Sequence, residues 1–344
     1  MTLLSSLLPS PQEIKEAFPL LEEDKAKIAF FRSTAKNICQ KKEEKTALIL
    51  GPCSIHSREG ALEYSSCLEK LIPVLEKNFF VVMRVFTQKS RTSLGWKGFS
   101  YDPFLQGKED LQQGIIETRK LMLELTRKNL PLATELLDPF LFPYFEDLVS
   151  WGFIGARTSL SQIHRIMASK AAFPVGFKNT TEGDIEGAIM GAKVASFSHT
   201  ICDISPIGRL QEIKTLGNPF SHIVLRGSNK NSNFDPISVD QAVSLQKKHH
   251  IKAPLLIDCS HGNSQKNEER QREGFTSVIT QILEGNGSIM GLMLESYLKK
   301  GKQPFSENID PRISLTDGCL SWEESQELIL WANELFSTHL YCSL

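Results

Sequence analysis

Cys53, His261, Glu295 and Asp317 together offer a thiol, an imidazole and two carboxylates, a donor set suited to one divalent metal ion. The single soft ligand argues against Mg²⁺ and Ca²⁺ and leaves Mn²⁺, Fe²⁺, Co²⁺ and Zn²⁺. The four lie far apart in the chain, so no CxxC-like spacing marks them. Taken singly, Cys53 reads as a small buried apolar residue, and His261 as either a ligand or a hydrogen-bonded core residue. Glu295 closes an apolar run and needs a partner, because a buried carboxylate without one is costly. A second group is cationic: Arg84, Lys89, Arg91, Arg157, Lys178 and Arg226. Its natural ligands are phosphates and carboxylates, and so many cations in one place imply more than one anionic group. Each alone reads as a solvated charge or an ion pair. Only a shared position makes them a site.

The elements between them supply that position. Apolar, β-branched runs recur at 46–53, 79–86, 131–138, 152–159, 174–179, 199–205, 222–228, 254–261 and 289–296, with amphipathic segments between most of them. Ala61, Tyr64, Leu68, Leu71 and Leu75 form one helical stripe. Ser238 with Gln241 and Ser321 with Glu324 read as capping boxes. Alternating strands and helices predict a parallel sheet with right-handed crossovers, and continuous apolar runs suit strands buried on both faces. No GxGxxG or GxxxxGK[ST] follows the first strand, which weakens a nucleotide-binding doubly wound fold. The expectation is a (β/α)8 TIM barrel over 46–344, preceded by a helical arm over 1–45. The run at 199–205 is one strand too many for a barrel, and it lies among Ser, Pro and Gly. It is assigned to a hairpin inserted before the sixth barrel strand. Charged residues crowd the C-terminal ends of the runs, where barrel enzymes place their active sites.

Composition narrows the function. In 344 residues, 39 Lys+Arg against 40 Asp+Glu leave a net charge of −1, which argues against a nucleic-acid binder or a polybasic membrane anchor. No run approaches the roughly 18 apolar residues of a membrane span. The N-terminus lacks a basic region before its Leu pairs, so no signal peptide is expected. Seven scattered cysteines suit reduced thiols in the cytoplasm.

Eight segments in register make a family resemblance specific: GPCSIH (51–56), MRVF with KSRTSLGWKG (83–98), GARTS (155–159), GFKN (176–179), LRGS (225–228), IDCSHGN (257–263), LMLES (292–296) and LTDGCLSW (315–322). In these the chain resembles the type I 3-deoxy-D-arabino-heptulosonate 7-phosphate (DAHP) synthases, in the subgroup regulated by aromatic amino acids. The resemblance implies a metal-dependent TIM barrel that condenses phosphoenolpyruvate with erythrose 4-phosphate and water at the first step of the shikimate pathway. It implies that Cys53, His261, Glu295 and Asp317 hold the metal, with Mn²⁺ favoured. It implies that Arg84, Lys89, Arg157, Lys178, Arg226 and the backbone near Ala156 bind phosphoenolpyruvate, and that Arg91 and Thr92 meet the aldose phosphate. Lys89 would act as general acid and His261 as a catalytic metal ligand. Glu135 would orient the water, or else pair with a rim cation. His164 is read as lying near the aldose site or on a helix surface. A homodimer or homotetramer is expected.

Two departures stand out. The family's Lys-Pro-Arg-Thr is Lys89-Ser90-Arg91-Thr92 here, which predicts a looser aldose-phosphate loop. The chain starts several residues short of regulated relatives, which predicts weak or absent inhibition by Phe or Tyr. The rival readings are a 3-deoxy-manno-octulosonate 8-phosphate synthase-like enzyme and a non-catalytic phosphosugar sensor on the same barrel. Arg91-Thr92 and the GWKG that follows favour the four-carbon aldose, and a sensor would be expected to have a broken metal set.

Overall fold

Eight parallel strands close on themselves in a computed structural model that describes residues 6–91, 94–306 and 308–342, the last four by backbone alone. Two helices come first, α1 (Pro11–Ala17) and α2 (Glu22–Cys39). Then follow β1 (Thr46–Gly51), α3 (Arg58–Leu75), β2 (Phe79–Arg84), α4 (Leu111–Arg127), β3 (Leu132–Glu135), α5 (Phe142–Phe145), β4 (Trp151–Ile154), α6 (Gln162–Lys170), β5 (Val175–Lys178) and α7 (Glu186–Ala195). A two-stranded antiparallel hairpin, β6 (Thr200–Ile204) and β7 (Leu210–Lys214), stands outside the barrel. The barrel resumes with β8 (Ser221–Leu225), α8 (Pro236–Lys248), β9 (Leu255–Asp258), α9 (Gln271–Leu283), β10 (Ile289–Glu295) and α10 (Trp322–Cys342). Closure runs β1-β10-β9-β8-β5-β4-β3-β2. The expected (β/α)8 barrel and the hairpin ahead of its sixth strand are both present.

Alternation along each strand divides the core in two. Ala47 and Ile49 of β1, Phe80 and Val82 of β2, Ala133 of β3, Trp151 and Phe153 of β4, Val224 of β8, Leu256 of β9 and Met293 of β10 fill the barrel interior. Their neighbours, such as Leu48, Leu50, Val81 and Leu292, face the surrounding helices. The predicted stripe on α3 is buried against the strands. Phe31, Ala35, Ile38 and Cys39 of α2 join the interior cluster, so this helix stoppers the end of the barrel where the strands begin.

Local signals explain the helix starts, with one correction. Ser321 and Glu324 cap α10 reciprocally, as read from the sequence (Ser321 N–H to Glu324 Oε2, 2.9 Å; Glu324 N–H to Ser321 Oγ, 3.2 Å). Ser238 does not begin α8. The N-cap is Asp235, which accepts from the Ser238 backbone at 3.0 Å and from its hydroxyl at 2.6 Å, because Pro236 suits the first turn and moves the start three residues earlier. The arm also meets the hairpin, where the Gln12 amide donates to the Pro206 carbonyl at 2.8 Å.

Candidate active site

Period two explains how the charged side chains reach the interior. Steps of two carry the inward set on from Val82 to Arg84, from Ala133 to Glu135, from Val224 to Arg226, from Leu256 to Asp258 and from Met293 to Glu295. On β5, Val175 and Phe177 face outward, so Lys178 faces in. Six of the eight barrel strands therefore carry an inward charge at the C-terminal end, while β1 and β4 have Gly51 and Gly155 at that level. Arg84 and Glu295 come from strands that flank β1 and meet across Gly51, where Arg84 Nη2 donates to Glu295 Oε1 at 3.0 Å. A β-carbon at Gly51 would lie 3.1 Å from the Arg84 Cβ and backbone, so the glycine lets the pair close.

Cys53, Glu295 and Asp317 present one donor atom each, all within 4.8 Å of one another. Cys53 and Glu295 are buried on the floor of the site. His261 turns Nε2 to 3.5 Å from Glu295 Oε1, while its Nδ1 lies 2.9 Å from Asp258 Oδ2. Three of the four expected donors thus come together, and His261 Nε2 reaches one of them, Glu295. Lys89 Nζ lies 2.8 Å from the Cys53 sulphur, and Asp317 Oδ2 lies 3.7 Å from that sulphur on another side. Burial pushes the Cys53 thiol up to about 11, the Glu295 carboxylate adds to this and Lys89 opposes it. Burial works against the Lys89 charge, yet Cys53, Glu295 and Asp317 outweigh it and hold the ammonium above its ordinary value. Burial likewise works against the Asp317 charge, but Lys89 and His261 keep its carboxyl below the usual range. A thiol, two carboxylates and an imidazole supply donor types that suit a divalent cation, with Lys89 set against Cys53 and Arg84 against Glu295.

Above this floor a cavity of about 260 Å³ is lined by Arg84, Lys89, Arg91, Arg157, Lys178 and Arg226, all six of the cations chosen from the sequence. Glu135, Ala156, His261 and Asp317 line it too. Thr92 lies outside the described residues. The depth of the cations differs. Arg84, Lys178 and Arg226 are buried, whereas Arg91 and Arg157 are exposed at the mouth. Arg226 Nε is buried and finds no hydrogen-bond partner among the described residues. Burial lowers the Arg226 pKa against the pull of Asp258, and nearby Arg157 lowers it further. A buried guanidinium N–H with no acceptor, facing a second guanidinium, is built for an anion. Glu135 fits because residue 155 is glycine: a β-carbon there would fall 2.2 Å from Glu135 Oε1. Arg91 is held by its own loop, its Nε donating to the Trp96 carbonyl at 2.8 Å, and the Lys89 amide donates to the Lys97 carbonyl at 2.8 Å.

His164 is not among the cavity-lining residues. Its Nδ1 pairs with Ser161 Oγ and its Nε2 with the Leu137 carbonyl, both at 2.8 Å, so it fastens the start of α6 to the loop after β3. Lys266 and Asp258 went unnoticed in the sequence. Lys266 lines the cavity from a turn in which His261, Gln265 and Lys266 all adopt positive φ (57°, 52° and 61°). A cation shortly after IDCSHGN was the available signal. For Asp258, the signal was that the strand stops there, three residues before the histidine that drew attention.

A parallel barrel whose strand ends gather cations of the kind that suit phosphate over a metal-type donor set has the layout of the metal-dependent, phosphate-handling TIM-barrel enzymes. Over residues 23–329 the chain matches the DAHP synthetase I family, and it belongs to that family. The Tyr-sensitive phospho-2-dehydro-3-deoxyheptonate aldolase of Escherichia coli (strain K12) is 42% identical over 327 residues, 94% of this chain and 91% of that protein. The tyrosine-inhibited aldolase of Schizosaccharomyces pombe is 35% identical, over 92% of this chain and 87% of its own. Among solved structures, the phospho-2-dehydro-3-deoxyheptonate aldolase of Francisella tularensis SCHU S4 superposes with a TM-score of 0.95 at 34% identity, covering 98% of both chains. The Thermotoga maritima enzyme of the same name shares the fold alone, with a TM-score of 0.57 at 20% identity over 86% of this chain and 70% of that one.

Proposed function

We propose that this cavity carries out its family's reaction: phosphoenolpyruvate, erythrose 4-phosphate and water give DAHP and phosphate. The observation that carries the reading is one cavity that gathers the six cations chosen from the sequence, and Lys266 besides, above Cys53, Glu295, Asp317 and His261. Phosphoenolpyruvate brings a phosphate and a carboxylate, and the aldose brings a second phosphate. The buried cations Arg84, Lys178 and Arg226, with Lys89, Arg157 and the Ala156 backbone, hold phosphoenolpyruvate. Arg91, at the mouth, holds the aldose phosphate together with Thr92.

C3 of the enol attacks the aldehyde carbon. Lys89, kept charged by its acidic neighbours, hands a proton to the new alkoxide. Glu135 directs water to C2, and the resulting hemiketal phosphate expels phosphate. Cys53, His261, Glu295 and Asp317 hold the divalent ion, Mn²⁺ by preference, which when bound supplies Lewis-acid polarisation of the aldehyde oxygen. A cytoplasmic homodimer or homotetramer belongs to this reading, and the free thiols of Cys39, Cys53, Cys67, Cys202, Cys259 and Cys319 suit a reducing compartment.

The test follows the ultraviolet absorbance of phosphoenolpyruvate in chelator-treated protein. Loss of absorbance should need both Mn²⁺ and erythrose 4-phosphate. Equal consumption with arabinose 5-phosphate would favour the octulosonate-type enzyme, and no consumption with either aldose would favour a sensor.

A further inference from the structure

Asp258 ends β9 and is fully buried, and every polar atom of its carboxylate is engaged. Oδ2 accepts from Lys178 Nζ at 2.6 Å and lies 2.9 Å from His261 Nδ1. Oδ1 accepts from the Ser260 amide at 3.0 Å and from the Ser260 hydroxyl at 2.5 Å. The Ser260 hydroxyl also stands 2.7 Å from His261 Nδ1. Lys178 arrives from β5, with β8 between the two strands, because both residues occupy inward positions of the terminal layer. One carboxylate oxygen therefore touches a cation of the anion cavity and an imidazole of the metal-type set.

We propose that Asp258 is a positioning residue that couples the two halves of the site, aiming Lys178 at phosphoenolpyruvate and His261 Nε2 at the metal through one shared oxygen. The inference rests on the proposed function above. Its chemistry lies in the count of acceptors. A carboxylate serves Lys178, His261 Nδ1–H, and the Ser260 N–H and O–H with two oxygens. Donation from Nδ1–H fixes the tautomer that leaves a lone pair on Nε2, the nitrogen turned toward Glu295. Asp258→Asn keeps the shape but has only one oxygen. Turned one way, its amide N–H₂ meets both Lys178 and His261, repelling the ammonium and reversing the imidazole tautomer; turned the other way, it meets the Ser260 N–H head-on and leaves Lys178 and His261 to share the weaker acceptor of a neutral amide.

The test uses chelator-treated protein and two probes. Equilibrium dialysis with Mn²⁺ in the absence of substrate should show Asp258→Asn binding about 10–100-fold more weakly than the parent. In steady state with saturating Mn²⁺, the KM for phosphoenolpyruvate should rise at least about tenfold, while the KM for erythrose 4-phosphate moves no more than about threefold, as expected when one binding subsite alone is disturbed. A variant with a lower melting temperature but parental Mn²⁺ affinity and parental KM would make Asp258 merely structural and overturn the inference. A parent protein that binds neither Mn²⁺ nor phosphoenolpyruvate would overturn the functional reading instead. If Asp258→Asn does not fold, Ser260→Ala is read in its place. That variant strips a contact from both Asp258 and His261, and should weaken Mn²⁺ and phosphoenolpyruvate together by several-fold; unchanged values would overturn the coupling.

Discussion

Lys89 Nζ stands 2.8 Å from the Cys53 sulphur, so the group cast as proton donor is anchored on a residue of the metal-type set. The contact places the ammonium over the floor of the cavity instead of in solvent. Lys89→Met should lower kcat by about 10²–10⁴, the usual range for a lost general acid. Steady-state kinetics at saturating substrates checks this. A rise in KM for phosphoenolpyruvate with kcat intact would reduce Lys89 to a binding cation.

Arg84 and Glu295 form a buried ion pair, each side chain 1% exposed. Removing one member leaves the other charged, desolvated and alone. Arg84→Met should destabilise by about 3–5 kcal/mol in urea unfolding, and the double variant Arg84→Met/Glu295→Gln should recover part of that loss. Simple additivity of the two single changes would show that the pair is not coupled.

His222 lies inside the barrel, where its Nε2 accepts from Trp151 Nε1 at 3.3 Å and its Nδ1 faces the Phe220 carbonyl at 3.1 Å. Burial depresses its pKa from 6.5 to about 4. The unfolded chain takes up a proton near pH 6.5, and the folded one refuses it until about pH 4. Stability is therefore full above 6.5 and falls as the pH drops across that window, by roughly 3 kcal/mol at about 1.4 kcal/mol per unit. Urea unfolding of the parent and of His222→Gln between pH 7.5 and 4 checks it: the variant should lose less on acidification, and identical slopes would remove His222 from the account.

Ser90 lines the cavity between Lys89 and Arg91, where proline is the family's habit. Ser90→Pro should stiffen the loop by fixing one φ, and so lower the KM for erythrose 4-phosphate by several-fold while sparing that for phosphoenolpyruvate. An unchanged KM would show that the Lys97 and Trp96 carbonyls already hold the loop.

Much of this was legible in the chain. Apolar runs ending in charge revealed the barrel and its working face, because parallel strands are buried on both sides and leave no other room for a charge. The hairpin betrayed itself because 199–205 made one strand too many for a barrel and lay among Ser, Pro and Gly. Asp258 escaped because a short-range reading attends to the residue that could bind a metal, whereas its meaning comes from Lys178, which is 80 positions away in sequence. Ser238 misled because a capping box and an Asx-type N-cap share residue types, and only Pro236 tells them apart. His164 showed its purpose only once Leu137 had folded up beside it.

The stopper formed by Phe31, Ala35, Ile38 and Cys39 closes one end of the barrel, so that among the described residues its door lies where the strands finish. The buried cations lie at the bottom and Arg91 at the rim, so the ligand of the deep cations must descend before the ligand of the rim arrives above it. The released phosphate has to climb out by the same door. Queueing is thus built into the architecture: a surplus of the rim's ligand should shut out the deep one.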